Sequence, residues 1–237
     1  MPVNKLRYLL LGLLLSTTAP AAAQTVDEDQ LGAWYMYFYQ ANFGENSRFG
    51  IQGDFQFRYW DFGSDLEQVL LRSGLTYRPE NVNALLTLGY ASITSGVPGE
   101  SSGTSHENRI YQEALLPHRL SKRLALTHRF RYEQRWVEGQ DFRTRYRYNL
   151  FVNIFLNAEN FGKGTLNVAL YNELFINGQR DIGNDREVQY FDRNRTYLGL
   201  GYGLRDNLRL QLGWMQQTTA AWQKGQAQFS LHHNFGF

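Results

Sequence analysis

From Phe49 to Trp60 the chain changes character at every step: Phe49, Ile51, Gly53, Phe55, Phe57 and Tyr59 alternate with Gly50, Gln52, Asp54, Gln56, Arg58 and Trp60. A period of two belongs to an extended strand, whose successive side chains point to opposite faces. The pattern returns from Leu124 to Trp136, where Leu124, Leu126, His128, Phe130, Tyr132, Gln134 and Trp136 alternate with Ala125, Thr127, Arg129, Arg131, Glu133 and Arg135. It returns again where Phe142, Thr144, Tyr146, Tyr148, Leu150, Val152 and Ile154 alternate with Arg143, Arg145, Arg147, Asn149, Phe151 and Asn153.

Eleven segments read as strands: 31–40, 48–60, 67–77, 83–93, 106–116, 124–137, 142–154, 165–176, 190–204, 208–217 and 226–237. Most are longer than the about 5 to 6 residues of a soluble strand and fit the about 9 to 11 of a tilted strand crossing a bilayer. A soluble barrel would turn its apolar face inward. Here the polar positions are rich in arginine and glutamate, while the apolar ones carry much of a load of 5 Trp, 15 Tyr and 16 Phe, as the aromatic girdles of a membrane barrel require. The expected fold is therefore all-β, an antiparallel transmembrane β-barrel. Eleven is odd, whereas bacterial barrels carry even numbers of strands, so about 12 are expected, with 10 as the alternative.

No run of about 20 apolar residues exists, which excludes a bundle of membrane helices. The chain has no cysteine, which removes disulfides, thiol nucleophiles and cysteine-bound zinc. At the N-terminus, Lys5 and Arg7 precede an apolar stretch from Tyr8 to Leu15, and Ala21-Ala22-Ala23 supplies small residues at a cleavage site. Residues 1–23 read as a signal peptide and 24–237 as the barrel domain. Removing Lys5 and Arg7 leaves 22 basic against 22 acidic residues, so charge offers no argument for nucleic acid.

At the other end Phe229, Leu231, His233, Phe235 and Phe237 share one face. This resembles the last strand of bacterial outer-membrane barrels, in which a terminal Phe is an assembly signal. The resemblance implies the bacterial outer membrane as the location, with the membrane lipid and the barrel assembly machinery as partners. With Phe237 at the periplasmic side, the connections at 78–82, 117–123 and 205–207 are periplasmic, and those at 94–105, 177–189 and 218–225 extracellular. The connection 157–164 is long for a periplasmic turn.

The stretches Arg131-Tyr132-Glu133-Gln134-Arg135-Trp136, Arg145-Tyr146-Arg147-Tyr148, Asn172-Glu173-Leu174-Phe175 and Phe191-Asp192-Arg193-Asn194-Arg195, followed by Gly199-Leu200-Gly201-Tyr202, resemble the domain of unknown function 2490 family of bacterial exported proteins. The resemblance implies location and architecture and brings no reaction and no catalytic residue.

Function is then sought on the polar, inward face. It carries Arg109, Arg129, Arg131, Arg135, Arg143, Arg145, Arg147, Arg193 and Arg195 against Glu107, Glu113, Glu133 and Glu173. Clustered guanidinium groups repel unless carboxylates or a bound anion lie between them. One reading is a channel, an arginine track that binds or passes an anionic small solute. The other is an ion-pair network that fills a structural barrel, and the need of any buried charge for a partner favours it.

A membrane-embedded hydrolase of the lipase or deacylase type is the alternative class. It needs a Ser/His or Asp/His pair near the extracellular rim. His118, His232 and His233 fall near the periplasmic side, His128 points outward, and His106 lies beside Ser101, Ser102 and Ser105 in a loop without geometric support. No metal-spaced histidine cluster, phosphate loop or nucleotide fingerprint is present, so neither metal nor cofactor is expected. Gly199, Gly201 and Gly203 alternate within a strand, where glycine relieves crowding or bends the wall.

Overall fold

Each alternating segment becomes one strand of a single closed sheet. The computed structural model describes residues 26–99 and 103–236. Its strands are β1 (Gly32–Asn42), β2 (Phe49–Tyr59), β3 (Leu66–Tyr77), β4 (Leu85–Gly96), β5 (Thr104–Arg119), β6 (Leu124–Val137), β7 (Arg143–Phe155), β8 (Leu166–Asn177), β9 (Phe191–Arg205), β10 (Leu208–Thr218) and β11 (Gln223–Gly236). They form an up-and-down meander in which each strand pairs with the next, and β1 pairs with β11 to close the barrel.

The all-β barrel stands, close to the expected count, with eleven strands among the described residues rather than twelve or ten. An odd number of strands in a meander leaves the first and last running the same way, so they pair in parallel, in register from Gly32↔Gln226 to Asn42↔Gly236. All other pairs are antiparallel. The sheet is mixed, and no further strand is needed to balance the count.

The connections sort into two rims. At the C-terminal rim, where β11 ends, lie 43–48, 78–84, 120–123, 156–165 and 206–207. At the N-terminal rim, where β1 begins, lie 60–65, the described residues 97–99 and 103 between β4 and β5, 138–142, 178–190 and 219–222. The expected turn at 117–123 shortens because β5 continues to Arg119. The 178–190 connection folds back on its neighbour through Asp141 N–H to Ile182 O (2.9 Å), and Asn184 and Asp185 take φ of 56° and 54° to reverse the chain. In the 60–65 turn burial pushes the Asp61 carboxyl up, but bonds from the Ser64 hydroxyl and the amides of Asp65, Gly63 and Ser64 outweigh it and hold the group below the usual carboxylate range. Residues 1–25 and Phe237 lie outside the described residues, and with them the signal peptide, its cleavage site and the assembly signal.

Burial inverts the usual order of a water-soluble barrel. Leu75, Leu88, Phe130, Tyr146, Leu198 and Leu200 stand exposed on the outer wall, while Asp54, Arg72, Glu107, Glu133, Arg147 and Glu173 are buried inside. Outside, directly opposed aromatics pack as pairs: Phe130 with Tyr148 at 5.1 Å between centroids, Tyr132 with Tyr146 at 5.1 Å, and Tyr35 with Phe229 at 5.2 Å across the parallel seam. Such pairs are the unit by which neighbouring strands stabilise one another. His233 shares this outer wall and bonds through Nδ1 to the Tyr37 hydroxyl at 2.9 Å.

Inside, large side chains fold over glycines. A Cβ on Gly199 would meet the Tyr197 hydroxyl at 2.0 Å, one on Gly213 the same hydroxyl at 2.5 Å, and one on Gly201 the Asn167 amide oxygen at 2.3 Å. The glycine row of β9 thus makes room for side chains crossing the interior.

Candidate functional site

The inward parity of β5, β6 and β7 creates a problem that the sequence must solve. It sets arginine directly against arginine at Arg109↔Arg135, Arg131↔Arg147 and Arg135↔Arg143. Like charges opposed across a sheet destabilise it. Four glutamates, directly opposite or diagonal to these arginines, resolve the conflict.

Glu107 accepts from Arg109 at 2.6 Å and from Arg135 at 2.5 Å. Glu133 holds Arg145 and Arg147, each at 2.6 Å, with Arg109 at 3.7 Å and Arg131 at 3.9 Å. Glu173 takes Arg147 at 2.5 Å and, from two strands away, Arg129 at 2.6 Å. Glu113 pairs with Arg131 and accepts from Gln52 at 3.0 Å. Arg193 pairs with Asp192 at 3.2 Å, and Asp192 also takes Arg145 at 2.7 Å. Arg145, Arg147 and Arg195 converge on the Phe175 ring at 5.2, 4.4 and 4.8 Å. The arginine rows are therefore spaced by carboxylates and form one connected lattice through the middle and N-terminal half of the interior.

Several members of the lattice escape a reading confined to the arginine-rich strands. On β2 and β3, Asp54 and Arg72 make a bidentate pair (2.9 and 2.9 Å), although alternation alone already puts Asp54 on the polar face of β2. Glu67 turns inward beside a bulge at Arg58/Tyr59 and accepts from the Trp34 indole N–H at 2.7 Å. At the N-terminal rim the buried Lys224 ammonium donates to the carbonyls of Asp27 and Gln30, which ties residues 26–31 to the barrel mouth.

Four inward arginines form no ion pair among the described residues. Arg143 has a buried Nε without a partner. Arg58 donates to the amide oxygens of Gln56 and Gln68, and Arg195 to that of Gln217 at 2.6 Å. Both lie against the Trp34 ring, at 3.7 and 4.7 Å from its centre. Arg209 stacks on Phe161 at 3.9 Å, and its Nε is buried without a partner.

Arg58, Arg195 and Arg209 line one cavity of about 370 Å³. It extends from Trp34 in the interior to Phe161 and Asn234 at the C-terminal rim, both exposed. Its wall includes Ser230 and His232, whose Oγ and Nε2 are 3.1 Å apart. The same hydroxyl donates to the Gln211 carbonyl at 3.3 Å. Opposite His232 in the ladder stands Arg209. The other histidines are apart: His128 bonds the Tyr148 hydroxyl (2.8 Å) on the outer wall, and His106 bonds Thr94 (3.1 Å).

The model of the family described as protein of unknown function (DUF2490) matches residues 31–228, from the first strand into the last. No curated protein matches the chain. The chain belongs to the DUF2490 family.

Proposed function

For this DUF2490 chain we propose an exported outer-membrane barrel whose interior is closed by its own ion pairs, a structural and ligand-holding barrel rather than an open pore. One observation carries the membrane reading: the outer wall exposes Leu75 at 61%, Leu88 at 59% and Leu200 at 59%, with aromatics between them, while the charged residues are inside. Water would not tolerate so much continuous apolar surface, and a bilayer requires it. A closed sheet also satisfies every strand backbone without solvent. In this reading residues 1–23 are removed on export, Phe237 is read by the assembly machinery, and the C-terminal rim is periplasmic.

The closed interior follows from the lattice. Arg129, Arg131, Arg135, Arg145 and Arg147, which an anion track would present to a passing solute, are held by Glu107, Glu113, Glu133 and Glu173. Fractionation of expressing cells tests the membrane reading. The chain is expected in the outer-membrane fraction, extractable only with detergent, and migrating differently on gels when boiled and unboiled. A monomer soluble without detergent would overturn it.

The Ser230–His232 contact at 3.1 Å favours a second reading, an embedded hydrolase. Among the described residues no carboxylate bonds the His232 imidazole, and covalent capture of Ser230 by a fluorophosphonate would be needed to establish this reading.

A further inference from the structure

The cavity contains carboxylates and guanidinium groups in unequal measure. Asp54, Glu113 and Glu173 line it, but each is already taken, by Arg72, Arg131 and Arg147. Arg58 and Arg195 are left over. They are 4% and 5% exposed, share the Trp34 ring, and receive only neutral amide oxygens from Gln56, Gln68 and Gln217. Glu67, outside the cavity lining, accepts from the Trp34 N–H and forms no ion pair among the described residues, so its single negative charge near Arg58 is set against two guanidinium groups. Neutral acceptors orient a guanidinium and do not cancel its charge, and two buried like charges at one ring repel. A third cation without an ion pair among the described residues, Arg209, stands nearer the rim on Phe161.

We propose that this cavity binds a small organic anion, whose carboxylate or phosphate group is received between Arg58 and Arg195 beside Trp34. Guanidinium forks match both oxyanions. Phe38, Leu115, Phe151 and Tyr171 supply an apolar wall for the ligand body, and the volume of about 370 Å³ falls within the range of small-molecule pockets. Arg209 draws the anion in from the C-terminal rim. The inference needs a closed interior and not a membrane setting, so its failure would leave the proposed location untouched.

Phenyl phosphate titrated into the detergent-folded mature chain at fixed ionic strength, followed by tryptophan fluorescence and by the thermal midpoint of the compact gel band, tests the site. Saturable binding that raises the midpoint is expected, with inorganic phosphate at least tenfold weaker because it leaves the apolar wall bare. Arg195→Gln and Arg58→Gln should each weaken phenyl phosphate at least tenfold, and Arg48→Gln, in an exposed pair with Glu80, should not. If Arg58→Gln and Arg195→Gln fail to fold, Arg209→Gln, also expected to weaken binding, and the wild-type titration decide. No saturation by the wild type, or unchanged affinity in Arg195→Gln or Arg209→Gln, would overturn the site, and equal affinity for the two phosphates would overturn its organic ligand.

Discussion

Glu133 is the keystone of the interior lattice, and Glu133→Gln is the substitution that most sharply tests whether ion pairs hold the barrel shut. The side chain is 1% exposed, bonds Arg145 and Arg147 at 2.6 Å, and has Arg109 and Arg131 at 3.7 and 3.9 Å. The amide keeps the shape, removes the charge, and turns an N–H₂ donor toward guanidinium donors. The three charge-assisted bonds, two from Arg145 (2.9 and 2.6 Å) and one from Arg147 (2.6 Å), are weakened or inverted, and each such bond is worth about 1.5 to 3 kcal/mol when lost outright. Asp192 still holds Arg145 at 2.7 Å and Glu173 still holds Arg147 at 2.5 Å, so the loss should fall at about 3 to 4 kcal/mol, within the range for breaking a buried pair. That exceeds a hundredfold in the folding equilibrium, at about 1.4 kcal/mol per factor of ten. Urea titration of the detergent-folded barrel, read as loss of the compact band on unboiled gels, measures it. Glu159→Gln is the control: its partner Lys122 is 3.4 Å away and both side chains are exposed, so a change within about 0.5 kcal/mol is expected. Equal urea midpoints for Glu133→Gln and Glu159→Gln would refute the claim that the lattice supports the fold.

Asp54→Leu should destabilise the barrel by about 3 kcal/mol because it strands the buried Arg72, and adding Arg72→Met should recover much of the loss, seen as a positive coupling in a double-mutant cycle by urea titration. Gly199→Val brings a Cβ to within 2.0 Å of the Tyr197 hydroxyl and 2.5 Å of the Leu212 carbonyl, and should cost about 1 to 3 kcal/mol by the same measurement. An epitope inserted in the 178–190 connection should be labelled on intact cells, and labelling only after permeabilisation would reverse the sidedness.

Alternation made the strands legible because parity is a local property. The segment 124–137 coincides with β6, and Arg131, Glu133, Arg145 and Arg147 face inward as their parity dictates. The closure was not legible. Gly32–Asn42 alternates in the same way whether its neighbour runs parallel or antiparallel, and an even-number rule then suggests a further strand where the eleven of the described residues already close the barrel. Pairing partners also escape, since they depend on the stagger of strands around the barrel: Arg129 reaches Glu173 across β7, and Arg145 reaches Asp192 across β8. The Trp34 cluster brings β1, β2 and β9 together, so nothing in the local sequence of any one strand announces it. Bulges at Arg58/Tyr59 and Phe175/Ile176 shift the register where Glu67 and Asp192 turn inward.

The most direct test of the closed interior is the current through the purified barrel in a planar lipid bilayer. A lattice in which Glu107, Glu113, Glu133 and Glu173 hold the arginines predicts a folded, inserted protein with no steady conductance. Steady anion-selective steps that lose their selectivity in Arg145→Ala/Arg147→Ala would contradict it and restore the arginine rows as a conducting track.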